Sequence, residues 1–412
     1  MEYKTRNFNI YGYKTNKFKT ILVRILFLAN VSKKDFILSE LLLAILTYTN
    51  NNYHTNREYN MALQDLYDLY ISSNSNRRGN KIMSTIELNM IDPKYTSKKI
   101  MKDSIKMLSE SIFNPYIVDN HFDTNSFNII KEQFKSFIDG MYDNPQALIN
   151  DEVLSSYSDF NIGVTYKEAR KYLEEIDEYG LYEYYKEFIN KREISIYVCG
   201  DYDDSLINLL AKFPFKSKNI DFIDNKIINE KQKDTVIYKD YNQAKLAMLL
   251  KYDNITEFER KYVSTILNSI LGGLQDSLLM ESIREEESLV YYIDSLSFKY
   301  DQTMVIYSGC SSSNIDLVLK KIDSCIKLLS KGDFSLDKLN AAIMDVTVVL
   351  EDYERSPYLI LDSLVSQNYL NKDDLATRIK NYKKVTKEDV MNLAKKLKTM
   401  KIALLRDKNE RD

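Results

Sequence analysis

Ile266-Leu-Asn-Ser-Ile-Leu-Gly-Gly-Leu-Gln-Asp-Ser-Leu-Leu-Met-Glu-Ser-Ile-Arg-Glu-Glu-Glu-Ser-Leu-Val-Tyr291 is the stretch from which the fold is read. An apolar helical segment runs into Gly272-Gly273, and paired glycines permit a sharp turn or a backbone approach that a Cβ would block. Asp276 or Ser277 is placed to cap the next helix. Arg284 falls near that helix's end, and a strand pair follows from Tyr291 to Cys310, reversing near Asp301-Gln302. Taken alone, Arg284 beside Glu285, Glu286 and Glu287 reads as a solvated helix end, and Tyr291 as a packing residue.

Outward from this stretch, the chain repeats one alternation of strands and helices. Thr20–Ala29 is rich in branched residues and reads as a strand buried on both faces. Ser39–Tyr48 has helical character, and Ile82–Met90 alternates as a half-buried strand ending at Asp92-Pro93. Amphipathic helices are expected around Ser97–Phe113, Ser126–Met141 and Tyr166–Glu175, with Asp143-Asn144-Pro145 breaking the run. Each half then closes with a helix leading into a strand: Ile176 to Phe188 then Ile194 to Asp201, and Val385 to Leu397 then Lys401 to Asp407. Leu181, Tyr185 and Phe188 fall in step with Val390, Ala394 and Leu397, which points to an internal duplication. The charged, aperiodic stretch between the halves reads as a linker. The expected organisation is a domain over 1–215, a linker over 216–234 and a domain over 235–412. Strands followed by grouped helices, twice over, predict α+β domains.

Composition narrows the function by exclusion. Lys+Arg (57) nearly cancel Asp+Glu (60), so no basic face is available for nucleic acid or anionic lipid. The 32 tyrosines lack the interleaved basic residues of a single-strand-binding groove, and Tyr179, Tyr182, Tyr184 and Tyr185 read as core and half-buried surface. Three scattered cysteines without metal spacing fit a reducing compartment, and Cys199 reads as buried and inert. Ile21–Val31 is too short to span a bilayer, and no secretory pattern opens the chain, so a cytoplasmic location is expected.

The quoted stretch resembles the C-terminal domain of the pitrilysin/insulinase peptidases, the family that includes mitochondrial processing peptidase. That family shows Leu-Gly-Gly, Ser-Arg-Leu-Phe, then Arg-Glu-Lys-x-x-Leu-Ala-Tyr. Here Gly272-Gly273, Ser277, Leu279, Arg284-Glu285, Leu289 and Tyr291 hold the pattern, while Leu278 and Glu286 depart from it. The resemblance extends less specifically over Ser126 to Asp201. It implies two homologous α+β domains, each an antiparallel-rich sheet with helices on one face. It also implies that Arg284 and Tyr291 face a catalytic cleft and hold substrate carbonyl oxygen.

An active member of that family needs H-x-x-E-H plus a downstream Glu to hold zinc and activate water. This chain has only two histidines, His54 and His121, in separate polar contexts, so the motif is absent. On the equivalent helix Glu40 and Ala44 stand where the histidines belong and Leu43 where the catalytic Glu belongs, with the downstream ligand near Phe137. No G-x-S-x-G elbow replaces the lost chemistry. The resemblance therefore implies a non-catalytic subunit that binds no metal itself. Its implied partners are a zinc-bearing homologue in a heterodimer and a peptide substrate, with no nucleic acid and no membrane. The alternative is a structural scaffold, like the core proteins of respiratory complexes, or a standalone peptide-binding protein.

Overall fold

The computed structural model describes residues 1–96, 98–155, 164–223, 228–241 and 243–410. Two compact units account for it, each centred on one sheet.

The first sheet is built from β1 (Glu2–Lys4), β2 (Asn9–Lys14), β3 (Thr20–Asn30), β4 (Tyr70–Arg78), β5 (Lys81–Ile91) and β6 (Glu193–Gly200). Its strand order is β1-β2-β6-β3-β5-β4. The second is built from β7 (Thr235–Lys239), β8 (Ala244–Tyr252), β9 (Val290–Phe298), β10 (Thr303–Cys310) and β11 (Leu397–Asp407). Its order is β9-β10-β8-β11-β7. Read from the opposite edge, this reproduces β2-β6-β3-β5-β4, including one parallel pair (β2 with β6, β7 with β11) among antiparallel neighbours. The two closing strands read from the sequence, β6 and β11, occupy the same place in the two sheets, as a duplication requires.

β3 is buried on both faces, and its two faces differ in chemistry. Alternate side chains point to opposite sides. Val23, Ile25 and Phe27 meet the helices on one side, with the Phe27 ring 4.8 Å from Phe188 of helix Glu178–Lys191. On the other side Arg24 bonds Glu87 of β5 at 2.5 Å and Asp362 at 2.6 Å. Asp362 belongs to helix Pro357–Tyr369, which starts at a proline whose missing N–H costs that position nothing. Tyr358, Asn368 and Tyr369 of the same helix bond Asn89, Tyr197 and Ser195 of the sheet at 2.9–3.3 Å.

The second sheet has the matching arrangement. Helix Pro145–Ser155 lays Ile149 and Val153 on Ala247 and Leu249 of β8 and Ala403 and Leu405 of β11. Buried Lys401 of β11 then donates to the Glu152 carboxylate (2.7 Å) and to the Glu152 carbonyl oxygen (2.9 Å). The fold class is that expected. The structure adds a helix on each sheet's second face, and each is supplied by the other half of the chain. Against the contiguous division 1–215, 216–234 and 235–412, the compact units are 1–139, 166–224 and 353–370 on one side, and 140–165, 225–352 and 371–412 on the other.

The stretch expected as a linker is held from both ends. Phe215 packs edge-on against Phe8 and Phe27, Ile194 N–H donates to Ser217 Oγ, and Lys218 N–H to the Arg192 carbonyl. Further on, Ile228 is buried in the second core and Gln232 N–H donates to the Met400 carbonyl at 2.8 Å. Among the described residues no helix is long and apolar enough to cross a membrane.

Candidate functional site

Two places gather the residues singled out in the sequence. The first lies in the unit built on β1 to β6. Helix Lys33–Leu46 begins at Ser32, whose hydroxyl accepts from the Asp35 N–H, and its apolar face is buried along the sheet. Glu40, Leu43 and Ala44 fall on one flank because side chains three and four apart share a helix face. Phe137 comes from helix Thr124–Tyr142. All four line one cavity of about 340 Å³, closed along one side by Ser73, Asn74 and Ser75 of β4.

Leu43 is buried, Glu40 and Ala44 are half-buried, and Phe137 stands exposed at the mouth. Glu40 is the one ionisable side chain of the lining. No described residue bonds or pairs with it, and burial alone pushes its carboxyl up to about 7. The cavity also includes Gln133 and Phe134, which sequence reasoning missed. The available signal was the helical period, since both lie one turn before Phe137. Ser73–Ser75 gave no signal at all.

One carboxylate among leucine, alanine, phenylalanine and neutral amides does not fit zinc, which takes three or four imidazole, thiolate or carboxylate ligands. Among the described residues no group of three or more His, Cys, Asp and Glu side chains gathers as a metal site. The two histidines are engaged locally: His54 stacks on Tyr116 with centroids 4.1 Å apart, and His121 Nδ1 lies 2.7 Å from the Phe122 carbonyl oxygen. Cys199 is buried, and its thiol is pushed up to about 12 by desolvation, so it holds no reactive thiolate.

The second place is the helix-to-strand junction of the other unit. Residues Ser269–Gly273 and Met280–Glu285 form wide, π-type turns, which occur often at functional sites. Gly272 lets the first of these lie against β9: a Cβ there would stand 2.6 Å from Ser295 Oγ, while one on Gly273 would meet Asn268 of the preceding turn. Neither Asp276 nor Ser277 caps the next turn through its side chain, and the Ser277 hydroxyl is buried without a partner among the described residues. Ser288 adopts a left-handed φ of 51°, and its N–H returns to the Arg284 carbonyl at 3.0 Å, turning the chain into β9.

There the ladder slips. Val290 pairs with Cys310 and Tyr292 with Gly309, so Tyr291 is the extra residue of a β-bulge on an edge strand. Bulges re-aim side chains and recur beside active sites. Tyr292 is anchored, donating its hydroxyl to Gln146 under the ammonium of Lys245. Tyr291 is 53% exposed. Arg284 is exposed as well, and none of the three glutamates that follow it pairs with its guanidinium; Glu287 takes Lys321 instead. Among the described residues neither Arg284 nor Tyr291 side chain has a hydrogen-bond partner.

Residues 176–345 match the family model described as the Peptidase M16 inactive domain. Over 399 residues the chain is 24% identical to the probable inactive metalloprotease YmfF of Bacillus subtilis (strain 168), covering 93% of this chain and 92% of that protein. The crystal structure of a conserved protein from Enterococcus faecalis V583 superposes with a TM-score of 0.91 at 20% identity, covering 100% of this chain and 99% of that one. That of a peptidase M16 inactive domain from Pseudomonas fluorescens superposes at 0.78 with 15% identity, covering 99% and 98%.

Proposed function

We propose that this chain, an inactive-type homologue of the M16 (pitrilysin/insulinase) peptidases, is the zinc-less half of a two-chain peptidase. The partner is a homologue carrying H-x-x-E-H, and the substrate is a peptide enclosed between the two. Zinc on that partner would polarise the scissile carbonyl and activate water. This chain's contribution is a pair of donors. The Arg284 guanidinium and the Tyr291 hydroxyl both donate to carbonyl oxygen and both stabilise negative charge as it develops there.

The observation that carries the reading is the state of these two side chains. A bulge gives up a residue of ladder pairing to present Tyr291, and Arg284, seven residues earlier in the chain, is left without a partner among the described residues. Exposure of Arg284 alone would also fit a solvated helix end; what favours the donor role is its coincidence with the bulge that presents Tyr291 seven residues on.

The test is peptide hydrolysis by this chain, by a zinc-bearing homologue, and by their mixture. Only the mixture is expected to cleave. Arg284→Ala and Tyr291→Phe should each lower its turnover by roughly 10²–10³-fold, the range for loss of one transition-state donor, while complex formation by size-exclusion chromatography persists. A mixture that cleaves equally well with both substitutions would leave the chain as a scaffold.

A further inference from the structure

The cavity beside Glu40 has features that the Arg284 and Tyr291 reading does not use. β4 ends the sheet, pairing with β5 on one side and with no described strand on the other. An edge strand of this kind presents a row of unsatisfied N–H and C=O groups, the template on which an extended peptide adds. Ser73–Ser75 of that edge form one wall of the cavity, so a strand laid along β4 passes over its mouth.

The chemistry inside selects a side chain. The walls from helices Lys33–Leu46 and Thr124–Tyr142 are apolar at Leu43, Ala44, Phe134 and Phe137. They would receive a long aliphatic stem. Beside them sits a single carboxyl group, and the lining residues include no lysine, arginine or histidine, only the neutral amides and hydroxyls of Gln133, Asn74, Ser73 and Ser75. A half-buried carboxylate without a partner is unfavourable until a cation arrives. The volume of about 340 Å³ lies within the usual range of ligand clefts, about 300–1,000 Å³.

We infer that this cavity and the free edge of β4 together bind an extended peptide whose basic side chain enters the cavity and pairs with the Glu40 carboxylate. The backbone adds to β4 as a further strand and supplies sequence-independent affinity. The lysine or arginine stem lies against Leu43, Ala44 and Phe134, and its charged end meets Glu40. The place where a catalytic relative would hold its metal thus becomes a specificity pocket for a positive charge. Because the carboxyl sits near 7 in the free chain, ionisation and hence cation recognition strengthen as pH rises through that value.

The experiment uses the full chain alone, so its outcome is separate from that of the two-chain peptidase. The probe is a short capped peptide of alternating threonine and valine with one central lysine, followed by fluorescence anisotropy at about pH 8. Replacing the lysine by norleucine should weaken binding by about tenfold, the scale of one charge-assisted hydrogen bond. Glu40→Gln should erase that preference while leaving the norleucine peptide unchanged, and so should lowering the pH to about 6. Ala44→Phe, which fills the cavity, should also remove it. Backbone N-methylation of the probe should abolish binding of either peptide. Cooperative urea unfolding of both variants is the check that they fold. Equal binding of the lysine and norleucine peptides, a preference that survives Glu40→Gln, undiminished binding of the N-methylated probe, or no binding at all would each overturn the proposal.

Discussion

Gly272 lies so close to β9 that an added Cβ would stand 2.6 Å from Ser295 Oγ and 2.9 Å from both Ser295 Cβ and Leu279 Cδ1. Ser295 is fully buried, so it has nowhere to retreat. Gly272→Ala is therefore expected to destabilise the chain by about 1–3 kcal/mol, the cost of overpacking. Adding Ser295→Gly should recover most of that loss in urea unfolding. This glycine was legible in the sequence because its chemistry is local: no other residue fits a contact of that kind. Glu40 makes a second residue-level prediction. Its folded carboxyl titrates at about 7, above the model-peptide value of 4.5. Its contribution to stability is then fully present below about 4.5 and is lost as pH rises through about 7, because only the unfolded chain ionises freely in that window. Glu40→Gln should gain stability on wild type between those pH values, on the order of 1–2 kcal/mol since the cavity mouth admits water. A difference in urea midpoints that stays flat with pH would refute the burial account of Glu40.

At the scale of single elements, β3 and β4 show what sequence patterns can carry. β3 reads as a strand because both its faces are buried, and β-branched and leucine side chains fill seven of its eleven positions. β4 reads Tyr-Ile-Ser-Ser-Asn-Ser-Asn-Arg-Arg, and only Ser75 is buried, its hydroxyl 2.9 Å from that of Ser84. An edge strand with one polar contact inside has no apolar alternation to reveal it. The wall of the cavity was therefore invisible, although Glu40, Leu43, Ala44 and Phe137 were not. The bulge at Tyr291 was hidden for a related reason, since register is decided by the partner strand. It also allows fold and function to be separated. With the side chain exposed and unbonded, Tyr291→Ala should shift stability by less than about 0.5 kcal/mol, while turnover of a working mixture falls. A loss of stability comparable to that of a core truncation would return Tyr291 to the packing role.

For the molecule as a whole, the feature that no local pattern announces is the exchange of helices Pro145–Ser155 and Pro357–Tyr369 between the chain's halves. Both begin at a proline after a polar residue, which predicts a helix start but not which sheet the helix will cover. The duplication itself was legible, because each half repeats the closing helix and strand. The charged anchors of the exchanged helices give the test at this scale. Arg24→Ala would leave the Glu87 and Asp362 carboxylates facing an empty space, at an expected cost of about 3 kcal/mol. Arg24→Met with Asp362→Leu, which removes the charge from both sides of that contact, should be milder in the same urea titration. The exchange also has a consequence in time. The last strand of the first sheet ends at Gly200, but the helix that covers its second face ends at Tyr369. A ribosome working at about 5–20 residues per second needs roughly 10–30 s to bridge that interval. Throughout it, Leu22, Leu26 and Tyr197 wait uncovered on a nascent chain, so this protein should lean on chaperones more heavily than a duplication of two self-contained domains would.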